Sequence, residues 1–239
     1  MWRGRRRRWK QRDQALLALL LLSAGTGATD VFAFAVLGGV FTSVMTGNLV
    51  LLGLGAGRGE PLTTVRPALA IVAFVVGLYL VARWLRDLEV AGAWPWPRRA
   101  LVALDVVLVV FAAVFVAWFA TGSTPRPLLR EAMVTLLAGA MGLQSATVNK
   151  LAIPGGATTY LTGTLTRLVD DLVTRRKPSV VRRRQVGELV ALLCGAVVAS
   201  VLLVVAPVLV PAVPLVVTLT ASVLARRMAP RGDEPEPGR

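Results

Sequence analysis

The sequence contains no histidine and a single cysteine, Cys194. The first absence removes every histidine-based metal site and nucleophile, and the second removes disulfides within the chain. Acidic residues are also scarce, 13 against 27 Lys and Arg, and the lysines are confined to Lys10, Lys150 and Lys177. An intramembrane enzyme would therefore need paired aspartates or a Ser/Thr nucleophile with lysine. Asp30 and Asp105 stand in no such local motif, and Lys150 is the only lysine near an apolar run. The glycine-rich stretch 53–59, "GLGAGRG", follows no strand and opens no helix in phosphate-loop fashion. No catalytic residue, metal or cofactor is expected, and the chain does not read as an enzyme.

What the chain has in abundance is apolar sequence. Of 239 residues 55% are hydrophobic and only 17% charged, with a mean hydropathy of +0.67. Soluble domains carry about a quarter charged residues, so this balance points to a membrane protein. Runs such as 15–37 and 100–120 are long enough to cross a bilayer, which takes about 20 residues. Further runs lie at 68–85, 131–153, 186–206 and 208–225. The basic start followed by "LLALLLL" resembles a signal peptide, but the apolar run continues well past signal length and reads as an uncleaved first helix. Trp84, Trp94, Trp96 and Trp118 fall near span ends, as an interfacial belt would.

The formal net charge of +14 is clustered at 3–12 and 175–184. Beside apolar spans, such clusters are topology signals and attract anionic lipid head groups. Neither cluster offers the stacking aromatics or recognition fold of a nucleic-acid site, so no nucleic-acid partner is expected.

The phrase "TSVMTGNL" at 42–49 returns as "TTYLTGTL" at 158–165, each after a glycine-containing break, Gly38-Gly39 and Pro154-Gly155-Gly156. The chain therefore reads as an internal duplication: a basic N-terminus 1–14, membrane repeat 15–121, connecting loop 122–130, membrane repeat 131–225, and a Pro-rich charged tail 226–239 expected to be disordered. If segments 40–57 and 157–173 crossed fully there would be eight spans, and Arg86, Arg98 and Arg99 would fall outside. If both are re-entrant, six spans remain and all basic regions share the cytoplasmic side. Six spans, three per half, force the two repeats into opposite orientations, an inverted repeat. The expected fold is an all-α polytopic membrane protein with about six transmembrane helices and two short polar re-entrant or additional helices, in the inner membrane, N-terminus in the cytoplasm.

The repeated phrase supplies the candidate pathway: Thr42, Thr46, Gly47 and Asn48 in the first copy, Thr158, Thr162, Gly163 and Thr166 in the second. Thr42 and Thr46, four apart, would share one helix face. A Thr just after a break is also a plausible N-cap, and the dipole end of such a half-helix would favour an anionic solute. The plain alternative is close helix packing through small residues and hydroxyls. Asp30, deep in the first span with no basic residue within a turn, is the strongest candidate for a coupling or ligand-binding carboxylate. Gln144 and Asn149 place amides at comparable positions in the second repeat. Asp105 and Glu188, about a turn inside their spans, read as interfacial, and Arg167 with Asp170 and Asp171 as a clamp by i,i+3 and i,i+4 pairing.

The stretches "DVFAFAVLGGVFTSVMTGNLVLLG" and "GLQSATVNKLAIPGGATTYLTGTLTRL" resemble the YoaK-like family of bacterial inner-membrane proteins, whose function is not established. The carrying residues are Asp30, Met45 to Asn48, Gln144 with Ala146, and Thr158 to Thr166. The resemblance implies a multi-span membrane protein and no known chemistry. The leading expectation is a small-solute transporter or channel, and the alternative a structural or regulatory membrane protein that packs with a partner or itself.

Overall fold

The computed structural model describes residues 2–87, 96–151, 161–174 and 180–228, with the side chains of 2–13 and of 161, 162, 164, 165, 167 and 172 outside that description. The described chain is helical, in eight α-helices: α1 Trp2–Val36, α2 Met45–Arg58, α3 Pro61–Trp84, α4 Arg98–Ala120, α5 Pro127–Lys150, α6 Leu161–Val173, α7 Val180–Val205 and α8 Ala212–Met228. A 3-10 turn at Pro207–Leu209 links α7 to α8, as the local prolines require. With no strand among the described residues, the protein is an all-α polytopic membrane protein.

Among the described residues, five segments are long and apolar enough to cross a bilayer: Gln14–Val36, Pro61–Trp84, Arg98–Ala120, Val180–Val205 and Pro207–Arg227. The expected span 131–153 is α5, with 24 residues long enough but less apolar than the others. The reason is burial. α5 packs against α3 and α4, and from Met133 to Val148 most of its side chains face protein, including Gln144, Ser145 and Thr147. A helix surrounded by protein can carry small and polar residues, whereas α7, only 17% buried, presents Val190, Leu193, Val197 and Val201 outward to lipid.

Contacts fix the relative directions of the helices. Gly187 faces Leu20 and Gly195 faces Ala24, so α1 and α7 run parallel. Arg66 meets Glu131 and Gly77 meets Gly139, so α3 and α5 run parallel. Trp118 meets Pro207 and Arg226 meets Asp105, so α4 and α8 are antiparallel. The short link from Ala120 to Pro127 makes α4 and α5 antiparallel. Gly25 against Pro214, with Ala15 and Ala18 in one cluster with Ala221 and Ala225, makes α1 and α8 antiparallel. Taken together, α1, α4 and α7 point one way and α3, α5 and α8 the other. Neither α2 nor α6 adds a reversal. At 14 residues α2 is about 21 Å long, short of the roughly 30 Å hydrocarbon core.

Two parallel pairs cross at glycines in one pattern. A Cβ on Gly27 would collide with the Leu192 carbonyl, and one on Gly195 with that of Ala24. In the other pair, a Cβ on Gly142 would collide with the Phe74 carbonyl, and one on Gly77 with that of Gly139. In every case the glycine sits three residues after the carbonyl that its own helix offers its partner. Such spacing lets backbones approach closely where no hydrophobic drive exists between helices in lipid.

The core lies between these helices. Phe32, Phe111, Leu137 and Met141 are among its largest fully buried side chains. The tryptophan belt is only partly realised. Trp84 is exposed, but Trp96 and Trp118 are buried, and Trp118 donates to the Pro207 carbonyl at 3.0 Å while meeting Phe32 edge-on at 4.9 Å. A bulky indole with an internal acceptor gains more from packing than from the head-group region. Trp94 lies outside the described residues.

Candidate functional site

α1 ends where Gly38 and Gly39 adopt φ of +131° and +75°, values open to glycine and strained for other residues. The chain then turns back along α1, which brings residues 41–43 beside Asp30. The Asp30 carboxylate, 8% exposed, accepts four hydrogen bonds. Oδ1 takes the Thr42 amide at 2.7 Å, the Thr42 hydroxyl at 2.8 Å and the Ser43 amide at 2.9 Å. Oδ2 takes the Ser43 hydroxyl at 2.5 Å. All four donors come from two consecutive residues of the break. A carboxylate inside a span is costly unless paired or ligated, and here it supplies acceptors for amides that no helix satisfies.

Asn48 completes the turn. It is fully buried on α2; its Oδ1 accepts the Phe41 amide at 2.9 Å and its Nδ2 donates to the Phe41 carbonyl at 2.6 Å. The Phe41 ring stacks on Phe34 with centroids 4.8 Å apart. Thr42, Ser43 and Asn48 therefore act as one staple holding the break against α1.

Three expectations for this phrase change. α2 starts only at Met45, so Thr42 lies ahead of the helix and shares no helical face with Thr46. The residue at the N-cap position is Val44, which makes no side-chain cap, so neither threonine caps the helix. Thr46 is exposed and Gly47 half-buried, apart from the Asp30 cluster. The anion drawn to this amide-rich turn is the chain's own Asp30, which removes the reason to favour an anionic solute.

Gln144 is buried on α5 and reaches α1, its Nε2 donating to Thr26 Oγ1 at 3.2 Å and lying 3.5 Å from the Leu22 carbonyl. Thr26 precedes Asp30 by one turn, so Gln144 and Asp30 occupy adjacent levels of α1 without a direct bond. Asn149 is exposed at the far end of α5. In the second copy, Thr158 and the Thr162 side chain lie outside the described residues, while Gly163 and Thr166 are exposed on α6. α2 packs on α3 and α6 on α7, each TG phrase beside the helix that follows it.

The other ionisable groups divide. Asp105, half-buried on α4, pairs with Arg226 of α8. Glu188 is not interfacial: it is fully buried on α7, in the helical register of Gly195 and Ala199, on the side turned to α1. The expected Arg167 clamp rests on a side chain outside the described residues. Sequence reasoning missed Ser43 as an Asp30 ligand, and it missed the Arg66–Glu131 pair at 2.5 Å, which ties α3 to α5 with Arg66 laid over Gly38. Ser43 was legible only as part of the repeated phrase, and nothing local marks residues 66 and 131 as neighbours.

The chain is similar to the UPF0700 transmembrane protein YoaK of Bacillus subtilis (strain 168), 35% identical over 161 residues, which is 67% of each chain. No solved structure matches it. The family described as "Protein of unknown function (DUF1275)" matches residues 18–224, and the chain belongs to this YoaK-like family of membrane proteins.

Proposed function

We propose that the protein moves a small solute or protons across the bilayer, with Asp30 as the coupling carboxylate and the break at 37–44 as the part that responds to it. The observation that carries this reading is the set of four donors from the break converging on one nearly buried carboxylate inside a span. Ionisable groups in that position mark ion or proton paths. Protonation can be accommodated without rupture. A proton on Oδ2 can be donated to Ser43 Oγ, whose hydroxyl turns from donor to acceptor, while Oδ1 keeps its three donors. The fold supports the reading through its two like-built glycine crossings, as expected of an inverted duplication whose halves rock against each other. Under the positive-inside rule, all four basic regions of the chain sit on the cytoplasmic side of the inner membrane, together with the N-terminus.

The test is proton flux into reconstituted vesicles under an imposed potassium-diffusion potential, read with an entrapped pH-sensitive dye. Asp30→Asn preserves the acceptor at Oδ1 and a donor toward Ser43, so it should fold and lose flux. Equal flux from wild type and Asp30→Asn would sink the role of Asp30. The second reading is a structural or regulatory membrane protein that packs with a partner or itself. It is favoured by the saturation of Thr42, Ser43 and Asn48 within the chain, which leaves them a purely architectural use. Crosslinking in native membranes that captures a partner, with no flux in wild type, would favour it.

A further inference from the structure

The glycine crossing of α3 and α5 leaves a cleft on the membrane face. Where α3 and α5 separate below their contact at Gly77 and Gly142, they leave an open wedge of about 500 Å³, walled by Val75, Leu78, Tyr79 and Ala146 and ending at Asn149 and Lys150. In the register that aligns Phe74 with Leu192 and Gly77 with Gly195, Tyr79 and Ala82 correspond to Val197 and Ser200. Val197 and Ser200 line a second recess, about 410 Å³, formed along α7 alone. Its remaining walls, Val201, Val204 and Val205, are apolar.

The α3–α5 wedge and the α7 recess differ in charge. Arg83 and Arg86 follow Tyr79 and Ala82 by four residues and continue the same faces of α3; their counterparts on α7 are Val201 and Val204. Arg83 is exposed, Arg86 is paired only with its exposed neighbour Asp87 at 3.1 Å, and Lys150 makes no ion pair among the described residues. The wedge is thus an apolar trough with cations at its end, the recess an apolar trough alone. The charged wedge opens at the end of the bundle where α1, α4 and α7 begin, which is also the basic end of the sequence.

We propose that the α3–α5 wedge is a binding site for one anionic phospholipid, an acyl chain lying along Tyr79 and Ala146 and the head-group phosphate held by Lys150 and Arg83, with the Asn149 amide as a further donor. This inference is independent of whether the protein transports anything. An apolar trough selects for an acyl chain of any lipid; only the cations select for the anionic head group.

The experiment is native mass spectrometry of the purified full-length protein titrated with phosphatidylglycerol and, separately, phosphatidylcholine of the same acyl chains. One phosphatidylglycerol should be retained in preference to phosphatidylcholine. The double variant Arg83→Gln/Lys150→Gln should weaken its binding by about tenfold, and Arg126→Gln/Arg130→Gln, at the opposite end, should leave it unchanged. Ala82→Trp, which fills the wedge from an exposed position while keeping every charge, should also abolish the selective adduct. Equal retention of the two lipids, or wild-type binding by the double variant, overturns the proposal. So does loss in the double variant with full binding in Ala82→Trp, since the charge would then act without the cleft. A wild-type elution profile and helical content for each variant show that the effects are not unfolding.

Discussion

At the scale of single residues, Asp30 is where structure and function separate cleanly. Asp30→Ala strips the acceptors from two buried amides and two hydroxyls, and should lower stability by about 2–4 kcal/mol, read as a reduced thermal midpoint in detergent. Asp30→Asn leaves most of that network and should cost about 1 kcal/mol. If both variants destabilise equally, the hydrogen-bond pattern drawn for Oδ1 and Oδ2 is wrong. Asn48→Ala breaks both bonds to Phe41 and should cost about 1–3 kcal/mol, whereas Thr46→Val, at an exposed position with no bond in the staple, should be neutral. Asp30 was legible in the sequence because a carboxylate in an apolar run is conspicuous by its cost. Its ligands were legible only as a repeated phrase, since which threonine reaches it depends on how the chain turns at Gly38 and Gly39.

At the scale of elements, the glycines decide how helices meet. Gly142→Ala drives a Cβ into the Phe74 carbonyl, backbone that cannot rotate aside, and should cost roughly 1–3 kcal/mol through separation of α3 from α5. Gly53→Ala, on the exposed face of α2 with nothing within 4 Å, should be neutral or stabilise by up to about 1 kcal/mol. Thermal melts of the two single variants side by side check both. Spans α3, α4, α7 and α8 were readable from hydropathy because each has enough lipid-facing surface to require aliphatic residues, and α1, 67% buried, because the side chains it turns to the core, Leu19, Leu22 and Phe32 among them, are themselves apolar. α5 reads as a weaker span for the opposite reason, protein rather than lipid being its main solvent. Helix starts were less legible: α2 begins after Thr42 because the amides of Thr42 and Ser43 are committed to Asp30 instead of a first turn.

At the scale of the whole molecule, helix directions require that the end of α3 at 85–87 and the link 121–126 lie at opposite ends of the bundle. On a Cys194→Ser background, Asp87→Cys and Thr124→Cys occupy exposed positions at those two ends. A membrane-impermeant thiol reagent should label Thr124→Cys in intact cells and Asp87→Cys only after permeabilisation. Labelling of both in intact cells would contradict six crossings, and reversed labelling would overturn the cytoplasmic N-terminus. Arg58, Arg66, Arg126 and Arg130 lie at the end opposite the basic N-terminal segment, so the labelling reads directly which end the positive-inside rule selects.

The sequence by itself determined that this is a multi-pass helical membrane protein of the YoaK-like kind, without histidine chemistry and with one carboxylate deep in its first span. Those features follow from transfer energetics, which act on each segment separately and so are written into composition and order. Tertiary structure alone decided that α1 packs on α7 and α3 on α5, that Asp30 is satisfied by the break following its own helix, and that the apolar wedge between α3 and α5 ends at Lys150. These depend on backbone approach and on which carbonyl a distant glycine leaves uncovered. The α1–α7 and α3–α5 pairings join residues distant in the chain, where no local pattern records them.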